Sequence, residues 1–208
     1  MLTATQTLAF LATALVLTAT PGPDNLMVLS MGMSRGRRAG IAFGLGCALG
    51  CLSHTLLAVV GVSALVAASP VAFTLLKVAG GAYLVGMGVQ AWRHAGAVRV
   101  GGEAGDATPL HQLFVKGLIA NAINPKVVLF FLSFLPQFVV ASQGEVAGQL
   151  GLLGLLFTAQ ALLLFGLLGW FSGSVGAWLN RRPGAGRWLD QLAGTVFIGL
   201  GLRMIVSR

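Results

Sequence analysis

The sequence predicts an all-α, polytopic membrane protein with six transmembrane helices, arranged as two inverted three-helix repeats. Three observations predict it. Apolar stretches about as long as a bilayer core, roughly 20 residues each, recur along the chain. Positive charge collects in alternate connections between them. A stretch before the central Gly-rich connection is matched by one after it. Of the 208 residues 56% are hydrophobic and 9% charged, with a mean hydropathy of +0.88, which excludes an ordinary soluble domain.

In order, the spans cover residues 3–33, 39–68, 70–93, 113–140, 148–178 and 188–206. Several exceed what a bilayer needs, so tilt, kinks or interfacial ends are expected. The first repeat is 1–93 and the second 113–208. Between them 94–112, "HAGAVRVGGEAGDATPLHQ", reads as a flexible linker, rich in glycine and mixed in charge. Arg35, Arg37 and Arg38 follow the first span, Arg93, Arg99 and Lys116 bracket the linker, and Arg181, Arg182 and Arg187 precede the last span. The opposite connections, near Ser69 and at "SQGE" (142–145), carry no Lys or Arg. The positive-inside rule then puts the basic loops and the linker in the cytoplasm and both termini outside, with Arg203 and Arg208 as an exception. The net charge of +8 is thus read as a topological signal that touches anionic lipid, and not as a nucleic-acid surface. "MLTATQTLAF" lacks the basic start of a cleavable signal peptide.

The repeat is clearest in the third and sixth spans. "LKVAGGAYLVGMG" (76–88) aligns without a gap on "LDQLAGTVFIGLG" (189–201), pairing Gly81 with Gly194, Gly86 with Gly199 and Gly88 with Gly201. Lys77 aligns with Asp190, so each copy has a charge at the same point. The first and fourth spans match in kind, because "TPGPDN" (20–25) interrupts one and "NAINPK" (121–126) the other. Three spans per half, an odd number, turn the second copy upside down, a recurring plan of secondary transporters.

The interruptions carry the functional expectation. Proline removes a backbone donor and clashes with the preceding turn, so Pro21, Gly22 and Pro23 should part span one into half-helices, and Pro125 should do the same in span four. Backbone opened at membrane depth is tolerated only inside protein or beside a water-filled cavity. The second half-helix of span one then starts near Asp24, exposing the N–H groups of Asp24, Asn25 and Leu26, and Asn124 can cap the half-helix that starts at Pro125. Helix N-termini attract anions. Two of them converging from opposite faces suit a small zwitterion, its carboxylate on the N-termini and its ammonium on freed carbonyls and Asp24. Lys126 directly follows the second break and is a further candidate.

Intramembrane ionisable groups are costly and read by default as functional. Asp24 is the deepest acid, a candidate for substrate and proton contact, and His54 is a second proton-coupling candidate. Lys77 is a gate or ion-pair candidate, with snorkelling as its bland alternative. Asp190 lies close to Arg187 and reads as part of a helix start. Cys47, Cys51 and His54 share one helical face; as soft ligands they would suggest metal efflux, and otherwise they are small packing residues. Enzyme chemistry finds no support: "WFSGSVG" (170–176) has no histidine after it, and Asp24 and Asp190 lie at different depths. No Walker-type loop or other cofactor motif is present.

With these features in place, "TPGPDNLMVLSMGMSRGRRAGIAFGLG" (20–46), "LLKVAGGAYLVGMGVQAWR" (75–93) and "FVKGLIANAINPKVVLFFLSFLPQF" (114–138) closely resemble the LysE-type translocators, the lysine-exporter family that includes homoserine and threonine exporters. The resemblance covers essentially the whole chain. It implies an exporter of amino acids or similar metabolites in the bacterial inner membrane, driven by the membrane gradient, with a homodimer plausible. It also implies that Pro21, Gly22, Pro23, Asp24, Asn124, Pro125 and Lys126 form the core of the site. A cadmium exporter and an uncoupled channel remain the alternatives.

Overall fold

Thr3 opens the first helix with a capping box. Its hydroxyl accepts from the Gln6 N–H at 3.2 Å, while the Gln6 side chain accepts from the Thr3 N–H at 3.1 Å. A computed structural model describes residues 2–95, 108–140 and 143–206. Most of the linker, Arg99 included, the start of the "SQGE" connection and Arg208 lie outside the described residues.

Helix α1 (Ala4–Ala19) is followed by an extended Thr20, and α2 (Pro23–Arg35) leaves it at 55°. Proline supplies the reason, because neither Pro21 nor Pro23 can donate to the preceding turn. Helix α3 (Arg37–Leu57) passes through a π-helical segment, Ala58–Val62, into α4 (Ser63–Ala68), and α5 runs Pro70–Arg93. Helix α6 (Leu110–Ala122) meets the second break. The chain resumes as α7 (Pro125–Leu129), a π-helical turn Phe130–Phe134 and a 3₁₀ turn Leu135–Phe138, bent by 49° from α6. Helices α8 (Val146–Trp170), α9 (Ser172–Arg181) and α10 (Pro183–Val206) complete the chain. Among the described residues four helices are long and apolar enough to cross a membrane, or six if each bent pair is one span. The protein is an all-α, multi-pass membrane protein.

Two boundaries differ from the sequence reading by five residues or more. The fifth span does not continue to residue 178: α8 stops at Trp170 and α9 begins at Ser172. Ser172 is fully buried and donates to the Gly169 carbonyl at 2.8 Å, and Gly32 of α2 lies so close that an added Cβ would strike the Ser172 side chain. That docking turns the chain, leaving Trp170 and Phe171 exposed. The last helix starts five residues early, at Pro183, a residue preorganised for a first helical turn.

Helix α3 forms the centre, with half of its apolar window buried. It lies parallel to α6, with Gly117 against the Phe43 carbonyl, Gly46 against that of Phe114 and Gly50 against Asn121. It lies antiparallel to α8, with Gly44 against Phe165 and Gly169 against Gly40 and Ile41. Close backbone approach of this kind drives helix association where both surroundings are apolar.

Helices α5 and α10 form a second, antiparallel pair. Gly81 faces the Gly201 carbonyl and Gly88 that of Gly194, whereas Gly86 and Gly199 meet open space. Matched glycines of the two stretches thus take matched positions. Gly88→Leu is expected to destabilise the protein, since overpacking of this kind costs about 1–3 kcal/mol. Gly86→Leu is expected to leave stability near the parent. Thermal unfolding in detergent checks the pair, and equal midpoints for the two variants would contradict the packing.

Candidate functional site at the two helix breaks

The breaks meet around one small cavity. Its lining includes Thr18, Gly22, Pro23, Asp24 and Asn25 from the first break, Asn121, Asn124 and Lys126 from the second, and Cys51 of α3. Leu17, Val127, Phe157 and Phe165 supply its apolar wall. The cavity is about 20 Å³, room for a water molecule and too small for an amino acid. Binding of an amino acid here requires the cavity to widen.

Each polar group arises from the backbone disruption. The end of α1 leaves carbonyls without helical partners. Asn25 Nδ2 donates to the Thr18 carbonyl at 2.9 Å, and Lys126 Nζ donates to that of Thr20 at 3.1 Å. Helix α2 has Gly22 as its N-cap and no side-chain cap. The Leu26 amide, expected to be free, bonds the Gly22 carbonyl at 3.0 Å, so the open donors at this end narrow to those nearest Asp24. Asn124 caps α7, its side chain accepting from the Lys126 N–H at 3.1 Å, with Pro125 in the first helical turn.

Asp24 and Lys126 bring opposite charges into this space, 6% and 5% exposed. Asp24 Oδ2 accepts from Asn121 Nδ2 at 2.7 Å. Lys126 directs its ammonium to the Thr20 carbonyl and to the face of the Phe197 ring, 5.1 Å from its centroid, rather than to Asp24. An ammonium has three donors and, among the described residues, one oxygen acceptor here, while a carboxylate has acceptor capacity beyond one amide. Both charges therefore have hydrogen-bonding capacity left for a ligand.

Of the other sequence candidates, Cys51 lines the cavity and the rest lie outside its lining. Pro21 and Pro125 shape the breaks without lining the cavity. His54 stands behind Asn121, its Nε2 3.0 Å from the Asn121 carbonyl and its ring 5.6 Å from that of Phe131. Lys77, part-buried on α5, does not line the cavity, nor does Asp190. Cys47 and Cys51 are buried free thiols, and Cys51 Sγ lies 3.5 Å from Asn121 Oδ1. Among the described residues no group of three or more His, Cys, Asp and Glu could hold a metal ion. Asn121 and Phe197 were not among the expected site residues. Asn121 had a readable signal, a polar residue in the last turn of an apolar helix, whereas Phe197 had none.

From the cavity wall the Phe157 ring leads into an aromatic cluster. Its centroid is 5.3 Å from that of Phe130 and 5.0 Å from that of Phe131, and Phe134, Phe138 and Phe10 extend the contacts. Beyond it Gln149 bonds Val140 through both its N–H and its carbonyl, at 3.0 and 3.1 Å, and Gln6 reaches the Phe138 carbonyl. The rings thus pack as one cluster between the cavity wall and these hydrogen bonds.

The LysE type translocator family matches residues 15–208, nearly the whole chain. The chain belongs to that family. A LysE-type translocator moves solute across a membrane and is not an enzyme, and the site above is read in those terms. The chain is similar to the homoserine/homoserine lactone efflux protein of Salmonella typhimurium, 28% identical over 200 residues and 96% of each chain. It is also similar to the threonine efflux protein of Escherichia coli K12, 32% identical over 196 residues, 90% of this chain and 91% of that one. A membrane protein of Vibrio cholerae is 31% identical over 206 residues, 97% of each chain. No solved structure matches the chain.

Proposed function

We propose that this translocator exports amino acids with uncharged side chains, binding them as zwitterions between the two helix breaks. One observation carries the reading: a buried acid and a buried base, each with hydrogen-bonding capacity to spare, line one cavity. Asp24 takes the ammonium. Lys126 and the uncapped start of α2 take the carboxylate. The apolar wall is Leu17, Val127, Phe157 and Phe165, and among the described lining residues there is no second acid or base. A substrate with a charged side chain would leave that charge unpaired in apolar surroundings, at a cost of several kcal/mol. The homoserine and threonine named for the two efflux relatives support an uncharged side chain.

Transport follows by alternating access. The cavity opens toward the cytoplasm, admits substrate, and then opens outward through the aromatic cluster as one three-helix repeat rocks against the other. The matched positions of the glycines in α5 and α10 support a two-fold relation between the repeats. Proton entry at Asp24 or through His54 resets the carrier. The basic connections support an inner-membrane orientation with both termini outside.

The test is export from proteoliposomes loaded with labelled threonine, homoserine, leucine or lysine, with and without a proton gradient. Threonine, homoserine or leucine should leave in a saturable, gradient-stimulated manner, and lysine should be retained. Lysine export at an equal rate would overturn the charge argument. Flux that neither saturates nor responds to the gradient would mark an uncoupled channel.

A further inference from the structure

Pro125 has no N–H, and in a continuous helix that N–H would bond the carbonyl four residues earlier, at Asn121. The second break therefore orphans the Asn121 carbonyl in the protein interior. Two donors fill the gap, the Asn124 N–H at 2.9 Å and His54 Nε2 at 3.0 Å. A carbonyl only accepts, so Nε2 carries a hydrogen. Gly50 allows α3 this close, since a Cβ there would stand 2.8 Å from both Cβ and Oδ1 of Asn121.

The side chain of Asn121 is held as firmly as its backbone. Oδ1 accepts from Cys51 Sγ at 3.5 Å, and Nδ2 donates to Asp24 Oδ2 at 2.7 Å. Reversing the amide would set its oxygen against a carboxylate oxygen, so the partners fix which end is which. Asp24 sits on a side chain of two torsions, and one short, charge-assisted bond to Oδ2 fixes the direction of Oδ1. A neutral donor achieves this without cancelling the negative charge, as Lys or Arg would.

We propose that Asn121, itself held by His54, is the positioning residue of the ammonium subsite. It secures one oxygen of Asp24 and thereby presents the other to the ammonium of a bound amino acid. The proposal rests on the reading of Asp24 as the ammonium acceptor. His54 acts here as a clamp on the backbone at the break, through its fixed Nε2–H.

The test compares binding of L-threonine and of the α-hydroxy acid with the same side chain, which lacks the ammonium, to purified full-length protein. The parent should prefer threonine. Asn121→Ala should reduce that preference ~10-fold, chiefly through weaker threonine binding, as expected for lost orientation of a charged hydrogen bond. His54→Leu should act in the same direction. His54→Gln, whose amide can still donate to the Asn121 carbonyl, should recover part of the preference. Where Asn121→Ala fails to fold, Asn121→Ser and the His54 pair decide. A parental preference in the Asn121 and His54→Leu variants, with the preference lost in Asp24→Asn, would overturn the positioning role and leave the site reading intact. A preference that survives Asp24→Asn, or is absent from the parent, would overturn the ammonium reading and the proposal with it.

Discussion

Asp24→Asn is expected to abolish gradient-stimulated amino-acid export while the protein still reaches the membrane. The substitution keeps the shape of the side chain and the acceptor facing Asn121, so the fold around the first break keeps its hydrogen bond. It removes the negative charge that the substrate's ammonium would meet. A hydrogen bond to a charged group contributes about 1.5–3 kcal/mol. Affinity for a zwitterion should therefore fall ~10- to 150-fold. The loss should be selective: the α-hydroxy acid should bind the variant nearly as it binds the parent. Calorimetric titration of both ligands checks this, alongside export from proteoliposomes. Undiminished, gradient-dependent export by Asp24→Asn would remove Asp24 as both ammonium acceptor and proton site.

What the sequence made legible follows from the range over which each cause acts. A missing N–H is a property of one residue, so Pro21, Pro23 and Pro125 marked both breaks, and Asn124 in front of Pro125 marked the cap. Apolar length marked the spans for the same reason. The turn at Phe171 was not legible, because it follows from the burial of Ser172 against Gly32, far away in the chain. Asn121 was hidden in part. Its carbonyl is orphaned by a proline four residues on, which is local, but its side-chain partner Asp24 lies 97 residues away. His54 read as a titratable group in a membrane, whereas its place is set by the carbonyl it meets. Lys77 and Lys126 looked alike as charges within spans. The direction of the second break sends Lys126 inward to Thr20 and Phe197, while Lys77 stays part-buried on α5 and away from the cavity.

Lys126→Met should impair export as severely as Asp24→Asn, with the opposite ligand signature. Methionine fills a similar volume with an apolar chain, and it removes the donor proposed for the substrate carboxylate together with the bond to the Thr20 carbonyl. Free amino acid should bind ~10- to 150-fold more weakly, by the energy of a charged hydrogen bond. The corresponding amino-acid amide, which keeps its ammonium and has no carboxylate, should bind the variant and the parent far more equally. Arginine should not substitute. Lys126 Nζ meets the Thr20 carbonyl as a compact point charge, with Gly22 close beside it, and a longer, planar guanidinium would not reproduce that placement. Lys126→Arg is therefore expected to export no better than Lys126→Met. Titration of threonine and threonine amide against the three proteins measures the signature directly. If Lys126→Met weakens both ligands alike, the lysine holds the two breaks together without touching the substrate, and the carboxylate then belongs to the start of α2 alone.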